Sequence, residues 1–207
     1  MPKLLLIRHG MTNLQKEERF WGNTDIPLNE LGLKQAEQLR DRLASEKITH
    51  YYSSTLSRAR DTAKIIAAGR RSIVACKELC ECNFGYLEGL TYEEIKRLHP
   101  AVAEELVKME SIDFPGGESL EKFHARLETF LKRLEKHKPQ DVIAIIAHGG
   151  SLRMLICHLL GLEIKHWHRM HIDRGSLSIV DTYPVVNILD SLNDTSHLMP
   201  KKKLRNI

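Results

Sequence analysis

Leu4 to Ile7 form an unbroken apolar run between Pro2 and the polar group Arg8-His9-Gly10, which predicts a strand buried on both faces. Val142 to Ala147 is a second such run, followed by His148-Gly149-Gly150. Between them, apolar residues recur at helical spacing. Leu33, Ala36, Leu39 and Leu43 are expected on one face of a helix that Asn29 caps and that runs to about Ala44. Ile48 to Ser53 reads as a strand, Leu56 to Ala68 as a helix, and Ser72 to Cys76 as a short strand. Ser119 opens a strong helix whose stripe is Leu120, Phe123, Leu127, Phe130, Leu131 and Leu134. A further helix follows Gly149-Gly150 to about Leu160. Ser176 to Asp181 and Val185 to Asp190 read as two edge strands, a hairpin turning at Tyr183-Pro184.

Strands alternating with helices predict an α/β fold with a mostly parallel central sheet and helices on both faces. Residues 11–29 are loop-like, with Gly22, Asn23, Asp25 and Pro27 clustered. Residues 77–118 break the alternation with Gly85, Gly89, two short helical patterns around His99-Pro100 and the turn Pro115-Gly116-Gly117. Residues 80–118 are therefore expected as a small helical cap inserted over one end of the sheet. With no linker around it, the whole of residues 1–207 is expected to form a single domain.

The composition, 42% hydrophobic and 28% charged, is that of a soluble globular protein and excludes a disordered chain. No apolar run is long enough to predict a membrane-spanning helix. The start Met1-Pro2-Lys3, with Arg8 close behind, predicts no signal peptide, and a cytoplasmic protein is expected. The net charge of +4 comes from Lys201, Lys202, Lys203 and Arg205, so residues 1–200 are neutral. The tail reads as a solvated terminus, and a neutral body predicts no nucleic-acid partner. Cys76, Cys80 and Cys82 follow a C-x3-C-x-C spacing with no second cluster, and Cys157 stands alone. They read as reduced, small apolar residues and not as zinc ligands.

Open α/β sheets bind ligands beyond the carboxyl ends of their strands. Arg8-His9-Gly10 and His148-Gly149-Gly150 both fall there. Ser53-Ser54-Thr55-Leu56-Ser57-Arg58 follows the second strand and enters a helix whose N-terminal amides could face the same crevice. Arginine suits bidentate recognition of phosphate or carboxylate, and histidine offers proton transfer or nucleophilic attack near neutral pH. The residues alone define a phosphate or carboxylate site.

Four sequence blocks resemble the histidine phosphatase, or phosphoglycerate mutase-like, superfamily beyond Arg8-His9-Gly10. They are Gly22-Asn23-Thr24-Asp25-Ile26-Pro27-Leu28-Asn29-Glu30-Leu31-Gly32, Ser54 to Ala63, Glu81 to Gly89, and Ile146 to Gly150. They occur in the family's order and span the chain to about Leu198. The resemblance implies a three-layer sandwich and a phosphomonoester hydrolase acting through a phosphohistidine on His9, without metal or cofactor. It implies that Arg8, Arg58 and a cationic His148 clamp the phosphoryl oxygens. Glu81 would protonate the leaving group and then activate water, which one carboxyl can do if its environment raises its pKa towards neutrality, with Glu88 as the nearest competitor. Gln15, Trp21, Gly22 and Gly149 are the expected substrate contacts, and Glu118, Ser119, Phe84, Tyr86 and Phe114 are further candidates near the pocket.

Gln15 stands where the family usually has Asn, Met11 where it has Glu, Cys80 where Arg is common, Leu87 where Trp is common, and Arg174 where Asn is common. The acid loop and the ending Leu192 to Leu198 resemble the small phosphatase branch, including α-ribazole phosphatases and broad-specificity relatives. The expected partner is a small phosphorylated metabolite such as α-ribazole 5′-phosphate, and a homodimer is compatible with the resemblance. A phosphoglycerate mutase is the alternative enzyme, and a non-catalytic binding scaffold the alternative of another class. His158, His166, His168 and His171 crowd one stretch without a carboxylate or cysteine at ligand spacing, so no metal site is expected from them.

Overall fold

The computed structural model describes residues 2–13, 19–108 and 112–198, so Gln15 and the basic tail of residues 199–207 lie outside the described residues. Six strands, β1 (Lys3–Arg8), β2 (His50–Ser54), β3 (Ile73–Cys76), β4 (Val142–Ala147), β5 (Leu177–Thr182) and β6 (Asn187–Asp194), form one sheet in the order β3-β2-β4-β1-β5-β6. The first four strands in that order run parallel, and β5 and β6 are antiparallel. The helices are α1 (Glu30–Arg42), α2 (Ser57–Ala67), α3 (Tyr92–Leu98), α4 (Pro100–Lys108), α5 (Leu120–Lys132) and α6 (Gly149–Leu159).

Alternation along the central strands divides the core into two layers. Leu5, Ile7, Ala144 and Ile146 face Leu39 and Leu43 at α1 and Ala59, Ala63 and Ile66 of α2. Leu4, Leu6, Ile143 and Ile145 belong to the other layer with Phe123, Leu127 and Phe130 of α5 and Leu152 and Leu155 of α6. A continuous apolar run is thus needed in β1 and β4 because both faces are covered. The fold is α/β in three layers. Among the described residues, no helix is long and apolar enough to cross a membrane.

Three expectations need correction. Leu33 is exposed, and Gly32 instead joins Ala36 and Leu39 on the buried face of α1. The cause is close packing of the α1 N-terminus on the chain after β1, where a Cβ on Gly32 would overlap the Met11 backbone. β5 is not an edge strand, because it also pairs with β1, which explains its nearly continuous burial. β6 is the edge strand on that side. It extends to Asp194, and its alternating half-buried and exposed residues show one covered face.

Register positions the site. Arg8 lies opposite Ala147 in the parallel β1–β4 pair, so His9 and His148 leave the sheet side by side. Ser53 lies opposite Ile146 in the β2–β4 pair, which brings Ser54 against His148. Three segments distant in sequence therefore deliver their polar ends to one crevice.

Candidate active site

His9 is buried, and its Nδ1 lies 2.7 Å from the Gly10 carbonyl oxygen. A carbonyl only accepts, so Nδ1 carries the proton and donates, and Nε2 keeps its lone pair. Burial, then the neighbouring Arg58 and Arg8, hold the His9 pKa well below the usual imidazole range. The ring is neutral at pH 7, as a nucleophile requires.

Arg58 opens the first turn of α2 and is buried. Its Nε donates to His148 Nδ1 at 3.2 Å, Nη1 to the Thr24 carbonyl at 2.8 Å, and Nη2 to the Gly22 carbonyl at 2.7 Å. Of the five guanidinium N–H groups, these bonds leave two for a ligand. The loop carrying those carbonyls is itself fixed. Glu88 accepts from the backbone N–H of Asn23 and Thr24 at 2.7 and 2.8 Å, and Asp25 accepts from Ser57 N and Oγ at the start of α2. Glu88 thus anchors the loop and does not line the cavity, which separates it from Glu81. Gly22 does not line it either, and its carbonyl positions Arg58. A side chain there has no room, since a Cβ would overlap the Cys82 carbonyl oxygen.

His148 differs from the cation expected of it. Its Nδ1 accepts from Arg58, and its Nε2 lies 2.8 Å from Ser54 Oγ. Burial, then Arg58 and His9, push its pKa well below the imidazole range. In this state the ring is neutral, with Nε2–H donating to Ser54. Arginine supplies the positive charge: Arg8, half-buried, is pushed down by burial and by Arg174 to about 9 and stays protonated at neutral pH.

The Glu81 carboxyl is buried against the N-terminus of α6. It accepts backbone N–H bonds from Cys82 at 3.0 Å, Gly150 at 2.9 Å and Ser151 at 3.1 Å. The Gly149-Gly150 pair now has a physical reason. A Cβ on Gly150 would overlap Glu81 Oε1, and one on Gly149 would press on the Arg8 guanidinium.

One cavity of about 410 Å³ joins Arg8, His9, Arg58, Glu81, His148 and Gly149. Trp21 lines it, as do Phe84 and Phe114 from the 80–118 segment, together with Tyr92 of α3 and Leu106 of α4. Tyr86 is exposed, and Glu118 instead pairs with Arg126 and accepts from Asn83 N. Ser119 caps α5. Sequence reasoning missed Arg153, Arg19, Thr12 and Trp167, which also line the cavity. Arg153 was legible, because it lies one helical turn beyond Gly149 on α6. Trp167 carries no such signal. Arg8 Nε, Arg153 Nε, Trp21 Nε1 and Trp167 Nε1 belong to residues that line the cavity, are themselves buried, and have no acceptor among the described residues. Arg8, Arg19, Arg58 and Arg153 all line the cavity, which is therefore chemically suited to an anionic, oxygen-rich ligand.

The sequence model of the histidine phosphatase superfamily (branch 1) matches residues 4–195, and the chain belongs to that family. It is 37% identical over 159 residues to phosphoglycerate mutase-like protein 4 of Arabidopsis thaliana, covering 74% of this chain and 69% of that protein. It is 30% identical to phosphoserine phosphatase 1 of Hydrogenobacter thermophilus, covering 96% and 95% of the two chains. The α-ribazole phosphatase of Shigella flexneri superposes with a TM-score of 0.86 at 26% identity, covering 97% of this chain and all of that one.

The histidines of residues 158–171 do not converge: among the described residues, His158 meets His124 and Glu128 instead. The four cysteines are buried free thiols, and burial raises the pKa of Cys157 to about 11, in keeping with an apolar packing role.

Proposed function

We propose that the protein hydrolyses small phosphomonoesters without a metal ion, through a phosphohistidine on His9. The observation that carries this reading is a neutral imidazole with one nitrogen tied to Gly10, set in one cavity with Arg8, Arg58 and Glu81. In the first step His9 Nε2 forms the N–P bond while the ester P–O bond breaks. Glu81 supplies the proton to the leaving oxygen. In the second step the Glu81 carboxylate takes a proton from water, which attacks phosphorus and frees His9. Arg8 and Arg58 neutralise the phosphoryl oxygens throughout, and such preorganised charge is the main source of rate in phosphoryl transfer. A phosphoryl group on His9 would sit near His148, whose ring centroid is 5.0 Å from that of His9. Its negative charge would favour protonation of His148 at Nδ1, which requires Arg58 Nε to give up that acceptor.

The substrate is read as a broad class of small phosphomonoesters, with α-ribazole 5′-phosphate as the candidate drawn from the likeness to the Shigella enzyme. Phosphoserine, named for the Hydrogenobacter relative, is a second candidate. Arg153, which lines the cavity, favours substrates with an additional acidic group. The test is phosphate release from p-nitrophenyl phosphate in EDTA by wild type and His9→Ala. Release by wild type that the variant loses supports the reading, and release that survives His9→Ala refutes it. The names of the Arabidopsis relative and of a Yersinia pestis relative, a probable phosphoglycerate mutase 33% identical over 209 residues, favour mutase activity as the second reading. Stimulation of phosphoglycerate turnover by 2,3-bisphosphoglycerate would select it.

A further inference from the structure

Helices α5 and α6 lie in one layer, and three of their side chains meet away from the cavity described above. His124 and Glu128 are one turn apart on α5, and His158 occupies the last turn of α6. His124 Nε2 lies 3.4 Å from His158 Nδ1, and His158 Nδ1 lies 3.6 Å from Glu128 Oε1. One donor atom from each residue falls within 4.8 Å of the others. In tetrahedral zinc sites, bonds of about 2.0–2.2 Å place neighbouring ligand atoms about 3.3–3.5 Å apart. Both short separations are therefore already close to the spacing of a shared ion. Two imidazoles and a carboxylate are also a ligand set that zinc, nickel and copper accept.

The second histidine cluster provides a contrast. His50, His137 and Asp141 also approach one another, but each of them has one polar atom engaged elsewhere. His137 Nε2 bonds Tyr52 OH at 2.8 Å, His50 Nδ1 bonds Thr49 Oγ1 at 2.9 Å, and Asp141 accepts from Lys138 N at 2.9 Å. His124, Glu128 and His158 have side-chain hydrogen bonds and ion pairs only with one another among the described residues. They are also partly open to solvent, so an ion can enter and a water can complete its shell.

We propose that His124, Glu128 and His158 bind one divalent transition-metal ion, zinc by ligand chemistry, which clamps α5 to the C-terminal turn of α6. The ion takes no part in the chemistry at His9. It stabilises the helix whose opposite end seats Glu81. The test uses the full chain without an affinity tag, stripped with EDTA and then titrated with zinc by calorimetry, with thermal unfolding followed in parallel. Wild type is expected to bind one equivalent and to gain in Tm, as linkage requires of a ligand selective for the folded state. His158→Ala and Glu128→Gln are each expected to weaken zinc binding at least tenfold. Both should retain wild-type p-nitrophenyl phosphate turnover in EDTA, which shows that they fold. His50→Ala should bind zinc as wild type does. Absence of binding by wild type, unchanged binding by His158→Ala, or loss of binding in His50→Ala would overturn the proposal.

Discussion

Gly150→Ala tests whether the seat of Glu81 controls both folding and turnover. The new Cβ would lie well inside the ~3.5 Å of ordinary contact with Glu81 Oε1, so the carboxyl must move by about 1 Å. That movement breaks or stretches two bonds, from Gly150 N at 2.9 Å and Ser151 N at 3.1 Å. A buried polar group left unsatisfied costs about 1–3 kcal/mol, and alanine returns about 0.5–1 kcal/mol of helix propensity, so two lost bonds leave a net loss of about 1–5 kcal/mol. A misplacement of about 1 Å in a reacting group costs about 10²-fold in rate. Urea unfolding and steady-state hydrolysis of p-nitrophenyl phosphate read the two effects. Glu81→Gln is the companion variant, expected to match the loss in kcat while keeping an acceptor for the amides. Wild-type stability and kcat in Gly150→Ala would refute the reasoning, because Glu81 would then not depend on this seat.

Other consequences separate binding, acid stability and scaffold. Arg153→Ala should raise KM for phosphoserine about tenfold or more while leaving KM for p-nitrophenyl phosphate within about twofold, since a lost charge-assisted bond is a matter of about 1.5–3 kcal/mol; equal effects on both substrates would remove Arg153 from specificity. His9 and His148 are held neutral in the fold, so below about pH 6.5 the unfolded chain takes up protons first and stability falls as pH falls. The slope is about 1.4 kcal/mol per pH unit for each histidine until its folded pKa is reached, and urea midpoints at about pH 7 and about pH 5.5 measure it. His148→Asn should lessen that slope, and an unchanged slope contradicts the assignment. Asp25→Ala removes the acceptor of Ser57 N and Oγ and should cost about 1–2 kcal/mol in thermal or urea unfolding, as loss of a helix cap does, together with loosened Arg58 and lower kcat.

Much of this arrangement was legible from the chain. The apolar runs ending in Arg8-His9 and Ala147-His148 place two histidines at strand ends, and only the β1–β4 register makes them neighbours. Periodicity located α5 well, because its stripe is long and faces a single layer. It misjudged α1, where backbone packing at Gly32 rotates the buried face away from Leu33. β5 was misread as an edge strand because antiparallel pairing with β1 is a long-range contact that local pattern does not encode. Glu81 and Glu88 are indistinguishable as loop acids in the sequence. What separates them is the partner each finds: amides of α6 for Glu81, and amides of the Asn23–Thr24 loop for Glu88. The neutral state of His148 was equally hidden, since it depends on Arg58 and Ser54 arriving from β2 and α2.

The central claim is that His9 carries the phosphoryl group between the two steps. Its most direct test is a rapid alkaline quench of enzyme mixed with p-nitrophenyl phosphate, because an N-phosphoryl bond survives base and not acid. Intact-mass and peptide analysis should find one phosphoryl group, placed on His9 and absent from His9→Ala. Efficient turnover with no phosphorylated enzyme at any quench time, or a label on another residue, would contradict the account.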